Sequence, residues 1–245
     1  MIKLERHLTP TLLNPNKVKE LTDLFLSTGE SVWNNAELKD ALLILSNNKC
    51  AYCECDLKEE SKYMEVEHFE NKKHSPNKVI IWDNLLPACK RCNVSKGAHD
   101  VITEPIINPF IANPQDHLQL QLYRFRGKTS LGSQTIDVVD LNHNERAVLK
   151  RFEIGDALLN SINELLEKLN LYKENPITRR KNRLLGHLEG ILLECQEYAT
   201  YTATTATILH SSPEYYEVVE ELKKLGFWTS YFEYLHDNSK SFILT

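Results

Sequence analysis

Two pairs of cysteines, each with two residues between its members, constrain the fold of this chain more than any other feature. They are Cys50 with Cys53 and Cys89 with Cys92. A C-x-x-C pair directs both of its sulfurs at one ion, and two such pairs supply the four thiolates of a tetrahedral structural zinc site. The spacing therefore predicts that zinc closes the loop between the pairs and contributes to the folding of a small domain. Four unrelated buried thiols are the alternative, and they do not explain the matched spacing.

Four polar residues lie inside or directly beside the loop that the cysteines close. Glu67 and His68 are adjacent in the sequence, Asn84 precedes the second pair, and Asn93 follows the last cysteine. An imidazole titrates near neutral pH, so His68 suits the role of a base that activates water. A carboxylate and two amides beside it indicate metal-assisted cleavage of a phosphodiester. The simpler alternatives are a half-buried strand histidine, a solvated glutamate, a turn asparagine and a helix-capping asparagine.

This segment resembles the HNH, or ββα-metal, nuclease domain. The matching residues are Cys50, Cys53, Glu67, His68, Asn84, Leu85, Cys89, Cys92, Asn93 and Lys96. In that family the residue before the base histidine and the residue after the last cysteine hold a divalent metal. The resemblance therefore implies Glu67 and Asn93 as ligands of Mg²⁺ or another divalent cation, and His68 as the general base. It also implies that Asn84 braces the loop that presents the base.

Three further residues in this segment have more than one interpretation. Lys96 is a candidate phosphate contact, or an ordinary solvated lysine. His74 and His99 lie close enough in the sequence to be alternative metal ligands. Asn93 stands where many members of the HNH family carry their second histidine, so the chain resembles an H-N-N variant.

The resemblance extends beyond the cysteine segment to the PtuB family, the HNH subunits of Septu-type antiphage systems. Its marks are the N-terminal run Ile2–Arg6, the pair Asn108–Pro109, and the run Val139–Asn142 before a long helix. The resemblance implies an endonuclease subunit that hydrolyses DNA together with a PtuA-like ATPase. In retron-linked versions it implies a reverse transcriptase and its msDNA as further partners. No Walker motif occurs in this chain, so ATP chemistry would belong to the partner.

The charge balance and the apolar runs limit where and how the chain acts. Its formal net charge is −5, whereas a freestanding DNA-binding protein usually has a basic excess. Nucleic acid is therefore expected to bind a local patch or a surface that a partner completes. The apolar runs are too short to cross a bilayer, and the first residues lack the apolar core of a secretory signal. We expect a cytoplasmic protein with reduced thiols and no membrane contact.

One dense basic run follows a helix break. It is a candidate nucleic-acid contact, although an exposed helix start is the more common explanation of such a run. Its members are Arg179, Arg180, Lys181 and Arg183.

The pattern predicts an α+β fold, mostly helical, built around a zinc-stabilised ββα-metal domain with a small β hairpin or sheet. We expect an N-terminal helical segment at 1–48, the HNH domain at 49–105, and a C-terminal β hairpin with a helical region at 106–245. Within these, Tyr63 to His68 is strand-like and a short helix starts at Asn93. The segment 118–140 also has a β pattern.

The long helix that follows has its own boundary signals. Asn142 is a plausible N-cap, with Glu145 completing a capping box, and Pro176 ends the helix.

Two other functions remain open from the sequence. The first is an RNase, for example one that cuts tRNA, in which the same histidine activates the 2′-hydroxyl without Mg²⁺ and leaves cyclic phosphates. The second is a non-catalytic zinc-knuckle module, which would keep zinc and bind nucleic acid or protein without cutting. End-group analysis with and without a chelator separates these from a hydrolytic nuclease.

Overall fold

A computed structural model describes residues 1–6, 9–58 and 64–245, so Tyr63 of the predicted strand lies outside the described residues. The chain divides into two compact units. Unit 1 comprises Met1–Gln119 and Phe125–His143, and unit 2 comprises Leu120–Arg124 and Asn144–Thr245. The predicted class is confirmed, because the described part of the chain is mostly helical with two small two-stranded sheets.

Unit 1 begins with two helices, α1 (Pro15–Thr28) and α2 (Ala36–Leu45). Asn14 caps α1 and Asn35 caps α2, each through a side-chain oxygen that accepts a backbone N–H of the first turn. Gly29 ends α1 in the left-handed region, with φ 75°. Helix α2 packs against strand β2, defined below.

The ββα core of unit 1 follows. Strand β1 (Glu65–His68) pairs with β2 (Leu85–Ala88) in antiparallel fashion, and helix α3 (Lys90–Lys96) continues directly from β2. The helix begins at Lys90 rather than at the predicted Asn93, because Cys89 serves as its N-cap. Between the strands lie two short 3₁₀ turns, at Pro76–Lys78 and Trp82–Asn84.

The segment 118–140 departs from the sequence prediction in its second half. Strands β3 (Leu118–Gln121) and β4 (Arg124–Gly127) form the expected hairpin, but Ser130–Val139 is helix α4 rather than a strand. The Thr129 hydroxyl caps α4 by accepting the Gly132 N–H at 3.2 Å. The capping interaction outweighs the strand preference of the β-branched residues that follow.

Asn142 was predicted as the N-cap of the long helix, and that prediction is wrong. Its side chain instead bonds both backbone groups of Phe125, at 2.9 Å to the nitrogen and 2.8 Å to the oxygen. The helix is preceded by a π-helical turn at Asn144–Val148. Glu145, the predicted partner of Asn142 in a capping box, lies within that turn.

In unit 2 the segment Asn144–Thr245 folds into helices, and Leu120–Arg124 belongs to the β3–β4 hairpin. The longest element of unit 2 is α5 (Leu149–Glu174), which contacts α6 (Thr178–Leu193), α7 (Thr202–Ser211) and α8 (Pro213–Lys224). Helix α6 also packs against α9 (Ser230–Lys240). Among the described residues no helix combines the length and the hydrophobicity that a bilayer span requires.

Candidate functional site

The four cysteines of the two C-x-x-C pairs converge in unit 1. The sulfurs of Cys50, Cys53, Cys89 and Cys92 all lie within 4.8 Å of one another, and all four residues are buried. The Sγ atoms of Cys53 and Cys89 are 3.7 Å apart. Four thiolates at this spacing match the donor set of structural zinc. With every position filled by protein, such an ion would stabilise the fold rather than take part in chemistry.

Backbone hydrogen bonds shape the turns that carry these cysteines. Glu54 adopts a left-handed conformation (φ 64°) and its N–H donates to the Cys50 carbonyl at 3.0 Å, which closes the first turn. The Ala51 N–H donates to the Pro87 carbonyl at 2.9 Å and so ties this turn to β2. A metal in the cluster would therefore join the end of β2 to the segment that follows α2.

A guanidinium lies against the thiol cluster. Arg91 donates through Nη2 to the Cys92 sulfur at 3.2 Å and through Nη1 to the Asp140 carbonyl at 2.6 Å. A four-thiolate zinc site carries excess negative charge, so a cation and an N–H donor at the sulfur stabilise it. Arg91 could not be singled out from the sequence, because its contact with Asp140 joins distant parts of the chain.

A cleft of about 750 Å³ opens within unit 1. Residues of β1, of α3 and of the loop between α1 and α2 line it. Glu67, His68 and Asn93, which the sequence nominates for one catalytic site, all lie on its wall. The fold thus brings these three residues to one concave surface.

His68 is held in a single orientation. Its Nε2 lies 2.9 Å from the Val79 carbonyl oxygen. A carbonyl only accepts, so Nε2 carries the proton and Nδ1 keeps its lone pair. The ring of Trp33 packs edge-on against the imidazole, with centroids 4.6 Å apart. Burial lowers the pKa of His68 to about 4. The bond to the Val79 carbonyl raises this pKa, whereas the charges of Lys72 and Lys96 lower it further. At neutral pH the imidazole is uncharged and able to take a proton.

Asn84 joins the two ends of the loop between β1 and β2. Its Nδ2 donates to the carbonyls of Glu70 at 3.0 Å and Lys78 at 3.1 Å. Its Oδ1 accepts the Glu70 N–H at 2.7 Å. Lys78 directly precedes Val79, whose carbonyl orients the imidazole of His68. Through these bonds the Asn84 amide fixes the peptide segment that positions the candidate base.

Glu67 forms a buried ion pair with Lys96. The Lys96 Nζ lies 2.6 Å from Glu67 Oε1 and also donates to the His68 carbonyl at 2.9 Å. The Tyr52 hydroxyl donates to the same Glu67 oxygen at 3.4 Å. Burial raises the pKa of Glu67, while the Lys96 ammonium acts in the opposite direction. Lys96, nominated as a phosphate contact, has a side chain with no exposed surface, and its ammonium faces Glu67.

Asn93 is tied to a residue that the sequence analysis missed. Its Nδ2 donates to a carboxylate oxygen of Glu65, which also lines the cleft. This bond directs the amide nitrogen of Asn93 at Glu65, so Oδ1 is the Asn93 atom that a metal would require as a donor. The signal was present in the sequence, because residues two apart on a strand share a face and Glu65 lies two residues before Glu67.

Two other histidines are outside the set of residues that line the cleft. The Nε2 of His74 lies 3.1 Å from the Ala98 carbonyl, and that of His99 lies 2.7 Å from the Glu104 carbonyl. Both imidazoles therefore hold loops rather than face His68.

The basic run lies in unit 2, at the start of α6. Arg180 donates to the Leu171 carbonyl at 2.6 Å, and the Lys181 ammonium lies 4.0 Å from the centre of the Phe227 ring. Two of the four residues therefore have contacts inside their own unit. Arg179 and Arg183 belong to the same helix.

Comparisons with known proteins agree with the geometry. The HNH endonuclease family model matches residues 50–99. The Septu protein PtuB of Bacillus thuringiensis is 42% identical over 246 residues, which cover 100% of this chain and 95% of that protein. The Septu protein PtuB of Bacillus mycoides (strain KBAB4) is 26% identical over 190 residues, covering 59% of this chain and 64% of that protein. No solved structure matches this chain.

Proposed function

This chain belongs to the PtuB family of Septu proteins and carries an HNH endonuclease domain, and we propose that it hydrolyses DNA phosphodiester bonds with the help of a divalent cation. One observation supports the proposal most strongly. His68, Glu67 and Asn93 line a single cleft, and the bond from His68 Nε2 to the Val79 carbonyl leaves Nδ1 unprotonated. We propose further that His68 is the general base and that the cleft receives the scissile phosphate.

The protein residues would act as follows. Nδ1 of His68 takes a proton from the water that attacks phosphorus, and the Val79 carbonyl holds the ring in the tautomer that this requires. General-base catalysis of this kind contributes on the order of 10²–10⁴-fold to the rate. The bond between phosphorus and the 3′ oxygen breaks, and that oxygen takes a proton from solvent. The products therefore carry 5′-phosphate and 3′-hydroxyl ends. Asn84 positions the base through the loop and does not contact the substrate.

The cleft offers the oxygen donors that a hard cation prefers. Glu67 and Glu65 supply carboxylates, and Asn93 supplies an amide oxygen that its bond to Glu65 orients. Mg²⁺ accepts a small number of such ligands and keeps several waters. When bound, the cation would stabilise the negative charge on the phosphate and on the leaving oxygen. Lys96 then has a positioning role, because it fixes Glu67 from the buried side.

The thiol cluster is proposed to hold zinc as a structural ion. Its sulfurs are buried and lie on the turns next to β2 and α3. The zinc would therefore set where α3 begins, and α3 carries both Asn93 and Lys96.

The proposed complex includes a PtuA-like ATPase, because both relatives are named as Septu PtuB proteins. A net charge of −5 is consistent with a subunit that relies on a partner for part of its nucleic-acid surface. The reverse transcriptase and its msDNA stay a prediction, since neither relative's name mentions a retron.

The test uses the full zinc-loaded chain co-purified with a PtuA-like ATPase. Supercoiled DNA should be cut with Mg²⁺ and not with EDTA, and the products should carry 5′-phosphates. His68→Ala should lower cutting by about 10²-fold or more without loss of zinc. His74→Ala is the matched control, since His74 does not line the cleft. Cutting of RNA to cyclic phosphates in EDTA would support the RNase alternative. Nucleic-acid binding without any cutting would support the zinc-knuckle module.

A further inference from the structure

One wall of the cleft comes from outside the matched HNH segment. Trp33 comes from the loop after α1, and Lys39 comes from α2. Lys72 of the β1–β2 loop, which belongs to the matched segment, lines the cleft together with them. The Lys39 ammonium is bound to the Asn34 side-chain oxygen at 2.6 Å. Lys72 is exposed, and its ammonium lies over the Trp33 ring, 5.0 Å from the centroid.

Trp33 contacts both the Lys72 ammonium and the candidate base. The same indole contacts His68 edge-on, with centroids 4.6 Å apart. A cation over an indole face is attracted by the ring and keeps its access to solvent.

The backbone around Lys72 is anchored rather than free to move. Asn71 donates through Nδ2 to the Gly97 carbonyl at 2.7 Å, and its Oδ1 accepts the Lys73 N–H at 2.8 Å. The first bond fastens the loop to Gly97 at the end of α3, and the second closes a local turn around Lys72. The loop therefore delivers one lysine into the cleft in a fixed place.

From this geometry we infer that Lys72 contacts a non-bridging oxygen of the phosphate under attack, with Trp33 holding its ammonium in place. This inference rests on the proposed nuclease function. Attack by hydroxide adds negative charge to the phosphate, and a fixed cation stabilises that charge more strongly in the transition state than in the bound substrate. Lys72 forms and breaks no bond in this step. Lys96 does not perform this role, because its ammonium is buried against Glu67.

Lys73 provides a matched control. It is adjacent, exposed and equally charged, but it does not line the cleft. In the complex with the ATPase, Lys72→Ala should lower kcat for a DNA duplex on the order of 10²-fold, with a smaller change in KM. Lys72→Arg should recover part of the loss, and Lys73→Ala should cut at the wild-type rate. Zinc content and thermal midpoint should be unchanged in all three variants.

The outcomes separate the inference from the function it rests on. If the wild type cuts and Lys72→Ala cuts as fast as Lys73→Ala, the inference is overturned while the nuclease function stands. A rise in KM with kcat unchanged would also overturn it, because Lys72 would then bind substrate and transition state equally. If the wild type neither cuts nor binds a fluorescein-labelled duplex, the proposed function fails and the inference fails with it.

Discussion

Replacing Asn84 tests how the loop positions the base. Asn84 is buried and makes three hydrogen bonds to the backbone of Glu70 and Lys78. Each bond contributes about 1 kcal/mol net, and removing one side leaves backbone groups without their partner. Asn84→Ala should therefore lower the free energy of unfolding of unit 1 by about 2–4 kcal/mol. Because Lys78 precedes Val79, the same change should also release the carbonyl that orients His68.

The assay combines stability with kinetics. Urea unfolding of the zinc-loaded chain, followed by tryptophan fluorescence, gives the free-energy change, and cutting by the complex gives kcat and KM. At urea concentrations below its unfolding midpoint, Asn84→Ala should have a lower kcat than the wild type, with a KM near the wild-type value. Asn77→Ala is the control, because Asn77 is an exposed residue of the same loop. Wild-type stability and wild-type kcat in Asn84→Ala would refute the bracing role and leave Asn84 as an ordinary turn residue.

Three other changes test separate parts of the structure. Cys89→Ser should abolish stoichiometric zinc, measured by atomic absorption, and unfold the ββα core seen by near-UV circular dichroism; a stable, metal-free variant would contradict the structural site. Lys96→Met should lower the free energy of unfolding in urea melts by about 3–5 kcal/mol, because it leaves the buried Glu67 carboxylate without its partner. Adding Glu67→Gln should restore part of this free energy. An unchanged free energy of unfolding in Lys96→Met would refute the ion pair. The pKa of His68 in the fold, about 4, lies below its ordinary value, so the unfolded state binds its proton more readily. Stability should consequently fall as the pH drops from about 6.5 to about 4, and this slope in thermal midpoint should flatten in His68→Gln; identical slopes would refute the buried neutral imidazole.

Local signals explain which parts of the fold could be predicted from the sequence. The helix caps at Asn35 and Gly29 depend on nearest neighbours, and such local signals underlie the predicted helical segment at 1–48. The cysteine spacing likewise placed Cys50 and Cys89 in one cluster. Helix α4 was missed because its β-branched residues favour a strand, whereas the cap at Thr129 and the packing that decide the outcome depend on context. Gly132 in α4 illustrates this packing, because a Cβ there would lie only 1.9 Å from the His117 carbonyl oxygen.

The candidate site shows the same division between local and long-range information. The resemblance nominated Glu67, His68 and Asn93, and the structure gathers them at one cleft. The burial of Lys96 against Glu67 could not be predicted, because it depends on how α3 packs against β1. Trp33 was not singled out for a related reason. Its contact with the imidazole joins two segments that only the folded chain brings together.

The most direct test of the account is to locate the catalytic cation. Crystals of the zinc-loaded protein soaked in Mn²⁺, measured at the manganese absorption edge, should show an anomalous peak in the cleft within about 2.5 Å of oxygens of Glu67 and Asn93. The peak should lie on the side of His68 that presents Nδ1. A peak at another site, or no peak in the cleft under conditions in which the protein cuts DNA, would contradict the assignment of these residues as the metal site of a nuclease.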